Sequence, residues 1–110
     1  MARNVDILGS KWTVFITTSD KDPFLKTRDG YADKTSRKIV VCDKESDCEL
    51  EDFVVYRNKV LRHEIIHAFL FESGLSECFE HTTGHDETYL DWFASQFPKM
   101  LKVFTELDCL

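Results

Sequence analysis

The hydrophobic pattern of this 110-residue chain changes its period near Asp52, and this change limits the fold more than any other feature. Before that point, residues 11–18 alternate apolar and polar side chains, and residues 37–42 are rich in β-branched residues, which are strand signals. Tyr31 and Ala32 indicate a short strand between them, so we expect a small antiparallel meander. After Asp52, apolar residues recur every three or four positions, as in amphipathic helices. One domain is typical of this length. We therefore expect a single α+β domain over residues 1–110, with a small, mostly antiparallel sheet followed by two helices.

The first helix has clear local boundaries. Asp52 is suited to cap its N-terminus, and Gly74, followed by an apolar residue, is typical of a helix C-terminus. One helical line should face the core, and further apolar residues widen it. The line consists of Leu61, Ile65, Ala68 and Glu72, and the widening residues are Ile66, Phe69 and Leu70.

The second helix should begin at Asp86, which again is a suitable N-cap. A continuous apolar stripe follows at steps of three and four residues, formed by Leu90, Phe93, Phe97, Leu101 and Phe104. Pro98 lies inside this stripe and lacks the N–H that a helix interior needs. We therefore expect a kink or break there, with two shorter helices as one outcome.

Charge and composition exclude several classes of partner. Lys and Arg number 14 against 20 Asp and Glu, which gives a net charge of −6 at pH 7. A nucleic-acid binder needs a basic face, so we expect no nucleic-acid partner. No apolar run approaches 18 residues, so we expect no membrane span. The first ten residues lack a secretory signal, which predicts a cytoplasmic location. The four cysteines are accordingly expected to be reduced and structural.

Residues 63–67 read His-Glu-Ile-Ile-His, an HExxH motif inside the first predicted helix. Side chains four positions apart lie on one helical face, so His63 and His67 can reach the same metal ion. Glu64 projects about 100° around the helix from His63, because a turn contains 3.6 residues. It can thus lie beside the metal without binding it and accept a proton from a metal-activated water. The pattern predicts a Zn²⁺ site with Glu64 as general base.

A catalytic zinc ion usually takes three protein ligands and keeps one position open. The motif supplies two ligands, and several residues that follow it carry suitable donor atoms. The candidates are Glu77, Glu80, His81, His85, Glu87 and Asp91.

The segment HDETYLDWFA, residues 85–94, resembles the second helix of gluzincin metallopeptidases. The resemblance implies that Glu87 is the third zinc ligand and that Asp91, one turn later, orients His63. Ala94 continues this face with a small side chain that allows the helices to approach closely. A metzincin would instead require Gly and His at the positions of Leu70 and Ser73.

Most of the chain, from Trp12 to Lys99, resembles a group of short metallopeptidases encoded by phages and prophages of Gram-positive bacteria. The segments that carry this resemblance are DGYADKTSRKIVV, RHEIIHAFLFESGL and ETYLDWFASQFPK. The chain is more distantly similar to ImmA/IrrE-type and SprT-type zincins, but no segment of it resembles the DNA-binding or sensor module of ImmA/IrrE-type proteins, so a regulatory cleavage role is not expected. The resemblance implies a zincin-like domain, and for a phage-encoded protein the compartment would be the cytosol of the bacterial host.

Two functions follow as hypotheses. The first is a zinc-dependent peptidase that binds a peptide or protein substrate along a sheet edge, for which residues 37–42 are the expected strand. The side chain that stabilises the reaction's oxyanion stays open among His81, His85, Tyr89 and Tyr31. The second hypothesis is a zinc-stabilised phage adaptor or structural module without catalytic activity.

Overall fold

The computed structural model of the protein describes residues 2–75 and 86–110. It confirms the α+β class, with a four-stranded mixed sheet followed by two helices. A short 3-10 helix, Pro23–Lys26, lies between the second and third strands. The remaining elements are β1 (Ala2–Ile7), β2 (Ser10–Thr17), β3 (Gly30–Asp33), β4 (Lys38–Cys42), α1 (Phe53–Ser73) and α2 (Glu87–Glu106).

The strand order is β1-β2-β4-β3, which differs from the predicted meander. The outer pairs are antiparallel, but β2 and β4 are parallel, with Val14 opposite Ile39. The strand β1 was not predicted, because most of its side chains are exposed and only its last three residues, Val5, Asp6 and Ile7, alternate apolar and polar side chains. It joins β2 through Leu8 and Gly9, both at positive φ, as two-residue hairpin turns require.

The prediction that residues 37–42 form a sheet edge is wrong. The strand β4 lies between β2 and β3, so the edges of the sheet are β1 and β3. Three consecutive residues of β4, Ile39, Val40 and Val41, are buried. A continuous apolar run is typical of a strand that is covered on both faces. Such strands are usually central in their sheet, so this pattern already indicated a position between two other strands.

The core lies between the sheet and one face of α1. Trp12, Ile39 and Val41 are completely buried there, and Ala68 of α1 packs against the same cluster. The indole Nε1–H of Trp12 donates a hydrogen bond of 2.8 Å to Glu72 Oε1 near the end of α1. These contacts fix α1 across the sheet.

The predicted boundaries of α1 are confirmed, but its buried face is only partly as predicted. Asp52 accepts a hydrogen bond from the backbone N–H of Val55, and Gly74 adopts the left-handed conformation that ends the helix. Phe69, expected to widen the apolar face, is exposed. Two polar residues, Glu64 and His67, are buried instead. Burial of polar groups costs free energy unless they are partnered, so their position calls for a reason beyond packing.

The helix α2 begins after its predicted cap, Asp86, and continues through Pro98, so of the expected kink or break the break is wrong. Proline removes the N–H that would bind the backbone oxygen of Ala94, four residues earlier. Arg62 of α1 replaces this donor, because its Nε–H donates to Ala94 O at 2.7 Å. The apolar stripe of α2 is buried at Leu90 but partly exposed from Phe97 onward.

Removing the guanidinium group of Arg62 should destabilise the protein, because the carbonyl oxygen of Ala94 would lose its hydrogen-bond donor. Ala94 is fully buried, so Arg62→Met would leave its carbonyl without a donor, at a cost of about 1–3 kcal/mol. In a Pro98→Ala background the helix supplies its own N–H, and the same substitution should cost much less. Denaturant unfolding of the two single variants and the double variant measures this coupling. Equal costs in the two backgrounds would contradict the assignment.

Neither described helix combines the length and the apolar character needed to cross a membrane. The described cysteines, Cys42, Cys48 and Cys109, are free. Cys42 and Cys48 are partly buried but Cys109 is exposed, which does not match the expected buried role. Burial and a hydrogen bond to Glu45 raise the pKa of the Cys42 thiol to about 12, so this thiol is a poor nucleophile at neutral pH. Cys78 lies outside the described residues.

Candidate metal centre

Two histidines of α1 point to the same place beside the sheet. His63 and His67 are one turn apart, and their Nε2 atoms lie 3.1 Å from each other. The His67 ring also stacks against Phe71, one turn further along the helix. The i, i+4 spacing therefore brings both imidazoles together as expected.

Glu87, the first residue of α2, completes the cluster. Its Oε2 lies 2.9 Å from His63 Nε2, and its Oε1 lies 3.0 Å from His67 Nε2. One donor atom from each of the three residues lies within 4.8 Å of the other two. Tetrahedral ligands with bonds of 2.0–2.2 Å are about 3.3 Å apart, so a small adjustment of these side chains would accommodate zinc. Two histidines and one glutamate are also a ligand set of known catalytic zinc sites.

Asp91 lies one helical turn beyond Glu87 and faces the other ring nitrogen of His63. Its Oδ1 is 3.6 Å from His63 Nδ1 and 3.4 Å from Lys59 Nζ. The first distance is too long for a hydrogen bond. Asp91 is thus near enough to interact electrostatically with His63, and its orienting role stays a prediction.

Glu64 lies beside the cluster but contributes no ligand to it. Only 8 % of its surface is exposed, and burial raises the pKa of its carboxyl group to about 7. Electrostatic interactions with His63 and Arg28 oppose this shift, and the interaction with Glu87 adds to it. A carboxyl group with a pKa near neutrality is suited to accept and release protons.

A cleft of about 470 Å³ opens over the cluster, and β3 forms one of its walls. Cys42 donates its N–H to Asp29 O, which places Asp29 in a hydrogen-bonded pair with β4. Such pairs alternate along an antiparallel strand, so the N–H and C=O groups of Gly30 and Ala32 point away from β4. No strand of the described chain pairs with this side of β3. The cleft thus has a free strand edge beside the cluster.

Gly30 allows β3 to approach α1 closely. A Cβ atom at this position would lie 2.9 Å from Val40 O, 3.1 Å from a methyl carbon of Val60 and 3.3 Å from Glu64 Cγ. The first distance is below normal contact, so the backbone would have to move. The glycine is thus explained by close packing next to Glu64.

Substituting Gly30→Ala should lower the free energy of unfolding. Excess volume in a packed interior typically costs about 1–3 kcal/mol, and here the strand edge beside the cluster would shift. Denaturant unfolding of the variant measures the change. An unchanged free energy would show that the strand and α1 are less closely packed than described here.

The other predicted site residues are placed differently. Tyr31 lines the cleft, but its hydroxyl donates to Asp22 Oδ2 at 2.5 Å, and burial together with this bond raises its pKa to about 12. Tyr89 is 66 % exposed, packs against Trp92 and does not line the cleft, so the structure does not bring it to the site. His81 and His85 lie outside the described residues.

Arg28 lines the cleft and was not predicted from the sequence. Its guanidinium carbon lies 5.5 Å from the ring centre of Phe24 and 6.0 Å from that of Tyr31. Residues 28–30, Arg-Asp-Gly, indicated only a turn. A basic residue three positions before the aromatic Tyr31 was a signal in the sequence, but its use required knowing that β3 is an edge strand.

The chain was compared with known proteins at three levels. No protein-family model, no curated protein and no solved structure matches it. The resemblance to small phage metallopeptidases therefore stays a prediction, and any functional argument depends on the residues and geometry above.

Proposed function

We propose that this protein is a zinc-dependent peptidase. One observation carries the proposal: His63, His67 and Glu87 place donor atoms within about 3 Å of one another, at a cleft that also contains the buried carboxyl group of Glu64. A structural zinc site would have no need of an adjacent buried carboxyl group with a raised pKa.

In this proposal the metal site and Glu64 have separate chemical roles. Zinc, when bound, supplies a Lewis acid that polarises the scissile carbonyl group and lowers the pKa of a water molecule. Glu64 accepts the proton of the attacking water and then delivers it to the leaving amide nitrogen. Burial suits Glu64 to both transfers, because in the metal-free protein it raises the pKa of this carboxyl group toward neutrality.

The substrate would bind as an added strand on β3. The outward N–H and C=O groups of Gly30 and Ala32 can pair with an extended peptide, which places the peptide backbone along the wall of the cleft. Backbone pairing gives little sequence preference by itself, so side-chain selectivity would come from other parts of the cleft.

Metal analysis and a peptide assay test the proposal together. We expect about one zinc ion per chain, a higher melting temperature with zinc than with EDTA, and zinc-dependent cleavage of a peptide library detected by mass spectrometry. Protein that binds no metal would overturn the site. Stoichiometric zinc with no cleavage would favour the non-catalytic phage adaptor or structural module. A cytosolic location in a bacterial host stays a prediction.

A further inference from the structure

Arg28 is the only lysine or arginine among the described residues that line the cleft. Its position is set by contacts with the rings of Phe24 and Tyr31. A guanidinium group held over aromatic rings keeps its N–H groups free at its edge, where they can bind a carboxylate through two parallel hydrogen bonds. The side chain is thus oriented without using its donors.

The charge of Arg28 has no carboxylate partner within 4 Å among residues 2–75 and 86–110. The residue is exposed, and it lines the same cleft as His63, His67 and Glu87. Arg28 is therefore close enough to the cluster to affect a group bound there.

The direction of a peptide paired with β3 decides which of its ends lies near Arg28. Arg28 precedes the strand, with Asp29 between them, and Asp33, the last residue of β3, is followed by Lys34. A peptide that pairs antiparallel with β3 directs its C-terminus toward Arg28, whereas a parallel peptide directs it toward Asp33. Antiparallel pairing is the commoner form, and it places the C-terminus of the peptide at the end that Arg28 occupies.

The size of the cleft limits how far this contact lies from the reacting bond. A sphere of the cleft's volume is about 10 Å across, which is the length of about three extended residues. A group bound by Arg28 therefore belongs to one of the first three residues after the scissile bond.

We infer that Arg28 binds a carboxylate of the substrate, so that the preferred substrates are peptides with a carboxylate one to three residues beyond the cleaved bond on its C-terminal side. This inference rests on the proposed function. The carboxylate can be the C-terminus of the peptide or the side chain of Asp or Glu, and both sources offer the same planar anion to Arg28.

The first test compares N-acetylated hexapeptide libraries that end in a free acid or in an amide. We expect zinc-loaded protein to cleave the acids at least 10-fold faster, within three residues of the end, and Arg28→Gln to abolish this difference. Arg28→Lys should restore part of it. Lys38→Gln is the matched control, because Lys38 also lies over the Tyr31 ring but does not line the cleft.

A third library, of amides with Asp or Glu in the last three positions, separates the two sources of the carboxylate. Faster cleavage of this library than of neutral amides assigns the side chain, and faster cleavage of the acids alone assigns the C-terminus. Equal cleavage of all three libraries by the unmodified protein would overturn the inference about Arg28 and leave the peptidase proposal intact.

A binding measurement tests Arg28 without catalysis. N-acetyl-dialanine is titrated, as free acid and as amide, into the zinc-loaded Glu64→Gln variant, and binding is followed by NMR. We expect the acid to bind about 10-fold more tightly, and the additional substitution Arg28→Gln to remove the difference. A preference for the acid that persists without Arg28 would assign the carboxylate to the metal and overturn the inference.

Discussion

Replacing Glu64 by glutamine is expected to reduce the rate of peptide cleavage by a factor of about 10²–10⁴, the usual contribution of a positioned general base. Glutamine has nearly the same shape but cannot accept the proton from water. Zinc binding should change little, because the proposed ligand atoms belong to His63, His67 and Glu87. Cleavage rates and zinc content, measured on the same preparations, check both parts of this result.

Stability provides the first control for this variant. Glu64 is buried, and a neutral amide is easier to bury than a charged carboxylate, so Glu64→Gln should not destabilise the metal-free protein. The exposed Glu51→Gln supplies the matched control for activity. Loss of zinc from Glu64→Gln would indicate that Glu64 is a ligand and contradict the proposed mechanism. Equal activity of the unmodified protein and Glu64→Gln would indicate a contaminating protease.

The largest expected effect on metal affinity comes from Glu87. Its carboxylate contacts both histidines, so Glu87→Ala removes one of the three proposed ligands and should weaken zinc binding by more than about 100-fold. Asp91→Ala should weaken binding by about 10–100-fold, as expected for a group that acts through a ligand. Competition with a chromophoric chelator measures both affinities, and the exposed Thr88→Ala is the control on the same helical turn.

His81 and His85 are the alternative candidates for the third zinc ligand, so their variants show how to interpret a Glu87→Ala variant that still binds zinc. If Glu87→Ala keeps its zinc while His81→Ala or His85→Ala loses it, the third ligand is a histidine. The gluzincin-like arrangement would then be wrong, but a hydrolytic zinc site would still be consistent with the data. Loss of zinc only in Glu87→Ala supports the ligand set proposed here.

Local sequence signals predicted the helices well. The caps Asp52 and Asp86 and the terminating Gly74 act within one helical turn of themselves, so their effect can be read from neighbouring residues. The effect of Pro98 was not predicted, because the donor that compensates for it, Arg62, lies 36 residues away. A break was the natural local expectation, and a tertiary hydrogen bond removed the need for it.

The strand order could not be predicted from the alternation of apolar residues alone. The parallel pairing of β2 with β4 depends on how the intervening chain crosses the sheet, which no single segment specifies. The candidate site likewise contains residues placed by local sequence and a residue placed by the strand order. His63 and His67 are fixed by their spacing on one helix, whereas Arg28 reaches the cleft only because β3 occupies an edge.

The hydrogen bond between Arg62 and Ala94 also fixes the position of α2 along the axis of α1. Arg62 is adjacent to His63, and Ala94 lies seven residues after Glu87, or about 10 Å along the helix axis. A slip of α2 by a single residue would displace Glu87 by about 1.5 Å, far more than the roughly 0.2 Å that metal–ligand distances tolerate. Pro98, which frees the oxygen of Ala94, thus helps to align a proposed metal ligand three turns away.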